Sequence, residues 1–394
     1  MSKKTIRTYV VFSFLFSLAH SFFFATYALF LASRGLNLLE INIVNMFFMV
    51  GVFLLEVPTG AFADTFGRKK SVVVGCLLSS FSMLMYFLGN SFWAFVAAEL
   101  IGALGLTFLS GALEAWVVDA LASHGYDGEI ATVFRREVYA SQIGIIVGSL
   151  AGGYLGQFDL ALPWLASSVG TFIAGMFAFF AITEKEKKHA PFRFTFAPFK
   201  KVIRDSVSFG FKKKSVWFVT LFGMFLAMSV QGMNMQWPFV FQKTYGFSTS
   251  QLGWLFVAVS LFTMLGGILS KYFAGRIQQE KNAIVLSQTV TVIGMLGAAM
   301  MFGIVPMVSL FLFHEMGRGM VGPLKQSYLN HRIPSEKRAT ILSFDSMMGK
   351  AGAFIGLFGS GYLAEKAGIP TNWLASGILL AVGVVVFYNL KNGE

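Results

Sequence analysis

The sequence predicts an all-α polytopic membrane protein with twelve transmembrane helices arranged as two six-helix repeats. Three observations predict this fold class: the composition, the lengths of the apolar runs and the placement of the basic residues. Of the 394 residues, 56% are hydrophobic and only 13% are charged, whereas soluble chains carry roughly a quarter charged residues. This polar surface is too small to cover a water-soluble globule, which excludes cytosolic enzymes, disordered chains and secreted disulfide scaffolds.

Each apolar run can cross a hydrocarbon core, which needs about 20 residues. The runs are continuous rather than alternating, so the strands of a membrane barrel are excluded. The first run exceeds the roughly 7–15 apolar residues of a signal peptide, and we expect it to be retained. The first, fourth, seventh and eleventh runs contain polar residues. The predicted spans are residues 8–33, 38–63, 71–89, 92–121, 130–157, 160–182, 215–242, 249–274, 282–303, 306–330, 337–364 and 370–389.

The basic residues predict the orientation of these spans. With a cytoplasmic N-terminus, 25 of the 31 Lys and Arg residues fall in cytoplasmic segments or at the cytoplasmic ends of spans, 3 in outer loops and 3 deeper within spans. This asymmetry is a strong positive-inside signal. It predicts a multi-pass protein of a bacterial-type inner membrane with both termini in the cytoplasm. The net charge of +12 is then explained by topology and membrane lipid, without nucleic acid as a partner.

A basic stretch after the sixth span divides the chain into two halves. We expect six-helix bundles over residues 1–183 and 215–394, joined by a cytoplasmic linker over residues 184–214. Parallel repeats of six helices are typical of transporters in which two halves rock around a site between them.

Glycines support the internal repeat. At an offset of 208, Gly144 and Gly148 fall on Gly352 and Gly356. Glycines spaced by four line one helix face and permit close packing of helices. A hinge or sliding surface between the halves is the alternative interpretation.

The loop between spans two and three contains Gly60, Asp64, Gly67 and Arg68, followed by two lysines. We expect Gly60 to permit close helix packing, Asp64 to accept hydrogen bonds from a helix N-terminus and Arg68 to pair with a carboxylate. This spacing resembles the loop signature of the major facilitator superfamily, and the twelve spans, the basic linker and the repeat are similar to that family. The resemblance implies a cytoplasmic latch, formed by these four residues, that holds an outward-open state. A basic turn that only sets topology is the alternative.

Other segments resemble bacterial drug exporters of the same family. They are residues 110–116 on span four and the stretch that begins at Arg318 on span ten. The Glu-Ala-Trp element of span four is also similar to molybdate transporters. Two positions differ from the family pattern: Glu99 stands where many members carry an arginine, and Ser149 replaces a proline.

Charged residues within the spans predict a polar cavity. A charge at bilayer depth costs at least about 2.5–3.5 kcal/mol, so such residues pair or line water. We expect this cavity between spans one, four, seven and ten. Glu114 is the candidate proton-coupling residue, assisted by Glu137 or His20, because a carboxylate or an imidazole there can load and release a proton. A structural ion pair of Glu114 with a neighbouring arginine is the alternative.

A second group of residues is predicted to contact the substrate. Arg318 and Lys350 place two cations near mid-depth, and Glu315 could simply neutralise Arg318 from one helical turn away. The candidate substrate-binding residues are Arg318, Lys350, Asn234, Gln231, Gln142 and Trp237.

These residues favour a monomeric secondary active transporter that works by alternating access, with protons and a small-molecule substrate as partners. The leading hypothesis is antiport that drives efflux of small amphipathic compounds. The second is transport of a small organic or inorganic anion bound by Arg318 and Lys350. The third is a non-transporting sensor or a lipid-scrambling bundle. An enzyme is not expected, and no cofactor or metal is predicted, because one cysteine and five scattered histidines form no ligand cluster and no phosphate-binding loop occurs.

Overall fold

The computed structural model describes residues 1–184, 214–277 and 279–389. These residues form helices and no strands, and eleven of their helical stretches are long and apolar enough to cross a membrane. The predicted fold class, an all-helical membrane protein of two six-helix repeats, is therefore confirmed. Apart from its two ends, the predicted linker over residues 184–214 lies outside the described residues.

The helices of the first half begin and end within a few residues of the predicted spans, although two spans are interrupted. They are α1 (Ser2–His20), α2 (Tyr27–Ser33), α3 (Leu38–Phe66), α4 (Arg68–Leu88), α5 (Phe92–Leu109), α6 (Ala112–Ser123), α7 (Ile130–Phe158) and α8 (Leu162–Ala181).

The second half repeats this order with one interrupted span. Its helices are α9 (Lys214–Ser229), α10 (Gln231–Phe239), which continues as a π-helical turn (Val240–Thr244), α11 (Thr249–Arg276), α12 (Glu280–Ala299), α13 (Ile304–Arg332), α14 (Ser335–Ala367) and α15 (Ile369–Asn389).

The interruptions fall in the first, fourth and seventh spans, three of the four spans whose polar residues make their bounds hardest to predict. The first span breaks over residues 21–26, the fourth at Ser110 and Gly111, and the seventh at Val230. Gly111 has a φ of 71°, a left-handed conformation that glycine adopts without steric cost. The eleventh span, α14, is continuous. Interrupted helices at membrane depth expose backbone groups that can contact a substrate or an ion.

The chain divides into two compact units, which interleave along the sequence. Among the described residues, unit 1 comprises 1–36, 47–184 and 246–257, and unit 2 comprises the remainder. The first turns of α3 therefore belong to unit 2, and the first turns of α11 belong to unit 1.

Glycines on the fifth span of each half, α7 and α14, bring it into close contact with the first span of the same half, α1 and α9. A β-carbon on Gly148 of α7 would collide with the carbonyl oxygen of Leu18, at the end of α1. A β-carbon on Gly356 of α14 would collide in the same way with the carbonyl oxygen of Met228, at the end of α9. The aligned glycines of the repeat therefore make the same backbone contact twice, each time directly before the interruption of a span.

This contact predicts different effects for two alanine substitutions in α14. Gly356→Ala forces the Met228 carbonyl away and should destabilise the protein by roughly 1–3 kcal/mol, the usual cost of overpacking. Thermal unfolding in one detergent measures the difference. Gly359→Ala is the control, because no atom lies within 4 Å of its β-carbon position among the described residues. There we expect an unchanged or slightly higher Tm, since alanine is the better helix former. Equal Tm values for the two variants would contradict the close contact.

Candidate functional site

In unit 2, the centre of α13 carries a buried ionic cluster. One carboxylate, that of Glu315, accepts hydrogen bonds from Nη1 of Arg318 at 2.9 and 3.0 Å. The same Nη1 donates to Oδ1 of Asn234 on α10 at 2.7 Å. His314, which is fully buried, places its Nδ1 3.4 Å from Glu315. The structure thus brings the predicted substrate residues Arg318 and Asn234 together and pairs Arg318 with Glu315, an alternative that the spacing had left open.

A second ion pair lies further along the same helix. Nζ of Lys325 is 2.8 Å from Oδ1 of Asp345 on α14, and both side chains are mostly buried. Lys350 follows on α14 and is half-buried. The ion pair between Lys325 and Asp345 was not predicted, because it joins side chains of two different helices and no local spacing in the sequence indicates it.

Two further predicted substrate residues, Gln231 and Trp237, lie on α10 with Asn234. Gln231 is buried at the start of α10, and its amide donates to the carbonyl of Ala227 at 2.9 Å. Trp237 is also buried, with its ring centroid 5.9 Å from that of Phe311. Gln142 is half-buried on α7 and belongs to unit 1.

The predicted proton-coupling residues all belong to unit 1 but form no single cluster. Glu114 is exposed near the start of α6 and makes no hydrogen bond or ion pair within the described residues. Glu137 is half-buried and accepts a hydrogen bond from Ser141 at 2.7 Å. Both carboxylates act electrostatically on Tyr9 of α1. His20 is separate: its ring is stacked on Phe16 with centroids 5.4 Å apart.

Sequence reasoning missed a third carboxylate in unit 1. The side chain of Glu99 on α5 is buried, and its Oε1 accepts hydrogen bonds from the hydroxyls of Tyr27 at 2.6 Å and Tyr86 at 2.5 Å. The ring of Tyr86 is stacked on Trp164 with centroids 3.9 Å apart. The sequence did contain a signal for this site, namely a carboxylate within a span and tyrosines within two other spans.

At the predicted cytoplasmic end of unit 1, Arg68 forms ion pairs with two carboxylates. Its Nε is 3.2 Å from Asp119 at the end of α6, and its Nη2 is 3.7 Å from Asp64 at the end of α3. Gly67, with a φ of 105°, allows the sharp turn between α3 and α4. The predicted pairing of Arg68 is therefore present in the structure.

Two details of that loop differ from expectation. Glu184, rather than Asp64, caps a helix N-terminus: its carboxylate accepts hydrogen bonds from the backbone N–H groups of Arg68 and Lys69 at 3.0 and 2.9 Å. The prediction that Gly60 permits close helix packing was wrong, because no described atom lies within 4 Å of its β-carbon position. Helix α3 is apolar on several faces, so its sequence did not indicate which face packs.

The sequence model of the Major Facilitator Superfamily matches residues 9–249 and 220–393, which together cover nearly the whole chain. The chain belongs to the major facilitator superfamily. The recognition made from the loop signature is therefore confirmed.

Several superfamily members are similar to this chain over most of their length. The uncharacterized MFS-type transporter YxaM of Bacillus subtilis is 23% identical over 95% of this chain and 93% of its own length. The multidrug efflux pump Tap of Mycolicibacterium fortuitum is 22% identical over 89% of this chain and 87% of its own length. A crystal structure of the nucleoside transporter NupG superposes with a TM-score of 0.84 at 16% identity, covering 98% and 100% of the two chains. This last likeness shows a shared fold.

The superfamily members named in these comparisons are transporters, which agrees with the expectation that this chain is not an enzyme. Among the described residues, no group of three or more His, Cys, Asp or Glu side chains could hold a metal ion.

The ionic cluster of α13 predicts a non-additive response to neutralisation. Glu315→Gln alone leaves the guanidinium of Arg318 without its counter-charge, and Arg318→Gln alone leaves a buried carboxylate. Each should lower stability by on the order of 3 kcal/mol, whereas the double variant removes both charges and should recover most of that loss. Thermal unfolding of the four proteins measures the coupling. Additive losses of Tm would show that the pair contributes nothing.

Proposed function

We propose that this superfamily member is a secondary active transporter of a bacterial inner membrane that exports small amphipathic compounds by proton antiport and alternating access. Membership of the superfamily supports transport, and relatives named as multidrug efflux pumps support export. The proposed topology, with both termini in the cytoplasm, is supported by the asymmetric basic residues. Bundles over residues 1–183 and 215–394 would be the moving halves, and the latch around Arg68 would hold one of their states.

The observation that carries proton coupling is the unequal charge compensation of the two units. In unit 2, the buried carboxylate of Glu315 and the mostly buried carboxylate of Asp345 each face a basic side chain. In unit 1, neither Glu114 nor Glu137 forms an ion pair with a described Lys, Arg or His residue. A carboxylate without a basic partner can exchange a proton with solvent while the rest of the ionic network stays intact. We assign the exchange to Glu114, assisted by Glu137 or His20.

The proposed substrate surface combines apolar rings with a few polar groups. Trp237 packs with other aromatic rings on α10 and α13, and Gln231 and Asn234 lie one turn apart on α10. An amphipathic compound could bury its apolar part against the rings and hydrogen-bond with the amides. Gln142 of unit 1 remains a predicted contact.

A second candidate function is transport of an anion held by Arg318 and Lys350. The specific observation in its favour is that Arg318 contacts Glu315 and Asn234 through Nη1 alone. Its other guanidinium nitrogens donate no hydrogen bond within the described residues, and its side chain is 28% exposed. A planar guanidinium with donors to spare is suited to a carboxylate or an oxyanion.

Proton coupling predicts a specific defect in Glu114→Gln. In everted membrane vesicles energised with an acid interior, uptake of a fluorescent amphipathic dye should lose its dependence on the proton gradient, because the glutamine cannot carry a proton. Glu129→Gln is the matched control, since this exposed carboxylate of unit 1 only accepts a hydrogen bond from Thr132. Full gradient dependence in Glu114→Gln would exclude Glu114 as the coupling residue.

The two substrate classes are separated by neutralising the cations of unit 2. If an anion is the substrate, the double variant Arg318→Gln/Lys350→Gln should lose solute-induced thermal stabilisation by anions, since bound ligand raises Tm. Binding of cationic dyes should be retained. Unchanged stabilisation by anions would refute the anion hypothesis. If the wild-type protein moves neither class against a gradient, the remaining hypothesis is a sensor or a lipid-scrambling bundle.

A further inference from the structure

The carboxylate of Glu99 has an environment unlike that of the other buried acids. Its side chain is only 7% exposed, and its hydrogen bonds come from two neutral hydroxyls, those of Tyr27 and Tyr86. By contrast, Glu315 is equally buried but faces Arg318, and Asp345 faces Lys325. No described Lys, Arg or His side chain forms an ion pair with Glu99.

The groups that face Glu99 come from three neighbouring helices. The titratable ones are the hydroxyls of Tyr27 on α2 and Tyr86 on α4, which lie 3.4 Å from each other. Helix α8 contributes the uncharged indole of Trp164, which is stacked on Tyr86. Arg34, the basic residue that follows α2, is instead bound to Asn90 at 2.7 Å. Among the described Lys, Arg and His side chains, none forms an ion pair that would balance an ionised Glu99.

The surroundings contain two further polar atoms without partners. Nε1 of Trp164 and Nδ1 of His20 are both buried and form no hydrogen bond within the described residues. Phe23 lies between them, stacked on Trp164 with centroids 4.2 Å apart and edge-on to His20 at 5.4 Å. Phe23 belongs to the interrupted part of the first span, whose two flanking residues are His20 and Tyr27. Unpaired buried polar atoms beside a broken helix are typical of a site that water or a proton reaches.

We propose that Glu99, Tyr27 and Tyr86 form a proton-binding site in unit 1 that is separate from Glu114 and Glu137. A hydronium ion of the solvent breaks one O–H bond and transfers that proton to the carboxylate, leaving water, and the charge of the side chain changes from −1 to 0. The neutral carboxyl becomes a donor, and one tyrosine hydroxyl rotates to accept from it. The uncompensated charge is thereby removed from the apolar interior, where it is costly.

The position of this site suggests how it would serve the transporter. Tyr86 lies near the end of α4 opposite to Arg68, roughly 27 Å away along the helix axis at 1.5 Å per residue. Under the predicted topology, Glu99 is thus on the outer side, where protons enter during antiport. This role in coupling rests on the proposed function, whereas the binding of a proton does not.

Infrared difference spectroscopy of the purified protein in lipid nanodiscs tests the site directly. A protonated carboxyl has a carbonyl stretch well separated from the bands of a carboxylate. We expect a carboxyl band that appears on acidification and is absent from Glu99→Gln. Tyr27→Phe and Tyr86→Phe keep the ring and remove a donor to the ionised form, so the band should persist to higher pH in both. Glu129→Gln, which removes an exposed carboxylate of unit 1, is the control and should retain the component of the band that Glu99→Gln removes.

Several outcomes would overturn the proposal. Wild-type and Glu99→Gln spectra could be identical, the carboxyl band could stay constant across the pH range in which the protein is folded, or both tyrosine variants could titrate like the wild type. If Glu99→Gln fails to fold, the two tyrosine variants still decide, because they leave the carboxyl in place. A titrating band in a protein that shows no proton-driven transport would contradict the proposed function and leave the proton site standing.

Discussion

The cost of placing a charge in an apolar membrane interior constrains every polar residue of this protein. Unit 2 meets this constraint with ion pairs: Arg318 with Glu315, and Lys325 with Asp345. Unit 1 meets it differently, by giving Glu99 two hydroxyl donors and no cation. An ion pair is neutral at every physiological pH, whereas a carboxylate held by hydroxyls becomes neutral only by taking up a proton. The proposal that unit 1, rather than unit 2, binds the proton follows from this difference in charge compensation.

The interrupted helices face the same constraint, since a broken helix in lipid leaves backbone polar groups that need hydrogen-bond partners. The first and seventh spans are broken at corresponding positions, next to Leu18 and Met228. Gly148 and Gly356 bring a regular helix against each of these carbonyl groups. A continuous helix thereby supports the irregular one, and a larger side chain at either glycine would push the broken segment away from its neighbour. The repeat in the sequence is therefore a repeat of helix contacts.

The sequence was sufficient for the fold because each span depends on one local property, an apolar run of bilayer length. For Arg318 and Glu315, which one helical turn brings together, it left open whether they pair or Arg318 binds substrate. It could not supply the bond of Lys325 to Asp345, or the convergence of Tyr27 and Tyr86 on Glu99, because those depend on which faces of separate helices meet. Glu184 as a helix cap was missed for the same reason. The polar residues of the first, fourth, seventh and eleventh spans made the bounds of those spans hard to predict, but they did not indicate which of the spans are interrupted.

The ion pairs at the predicted cytoplasmic ends show how a structural repeat can persist although its residue types differ. In unit 1, Arg68 at the start of α4 pairs with Asp119 near the end of the fourth span. In unit 2, Glu280 at the start of α12 pairs with Arg332 at the end of the tenth span, with an N–O distance of 2.6 Å. The two pairs join equivalent helices at equivalent ends with the charges exchanged. A loop signature defined by residue type therefore finds only the first pair. Because attraction between opposite charges is unchanged when they exchange places, the same contact between equivalent helix ends is kept with the residue types reversed.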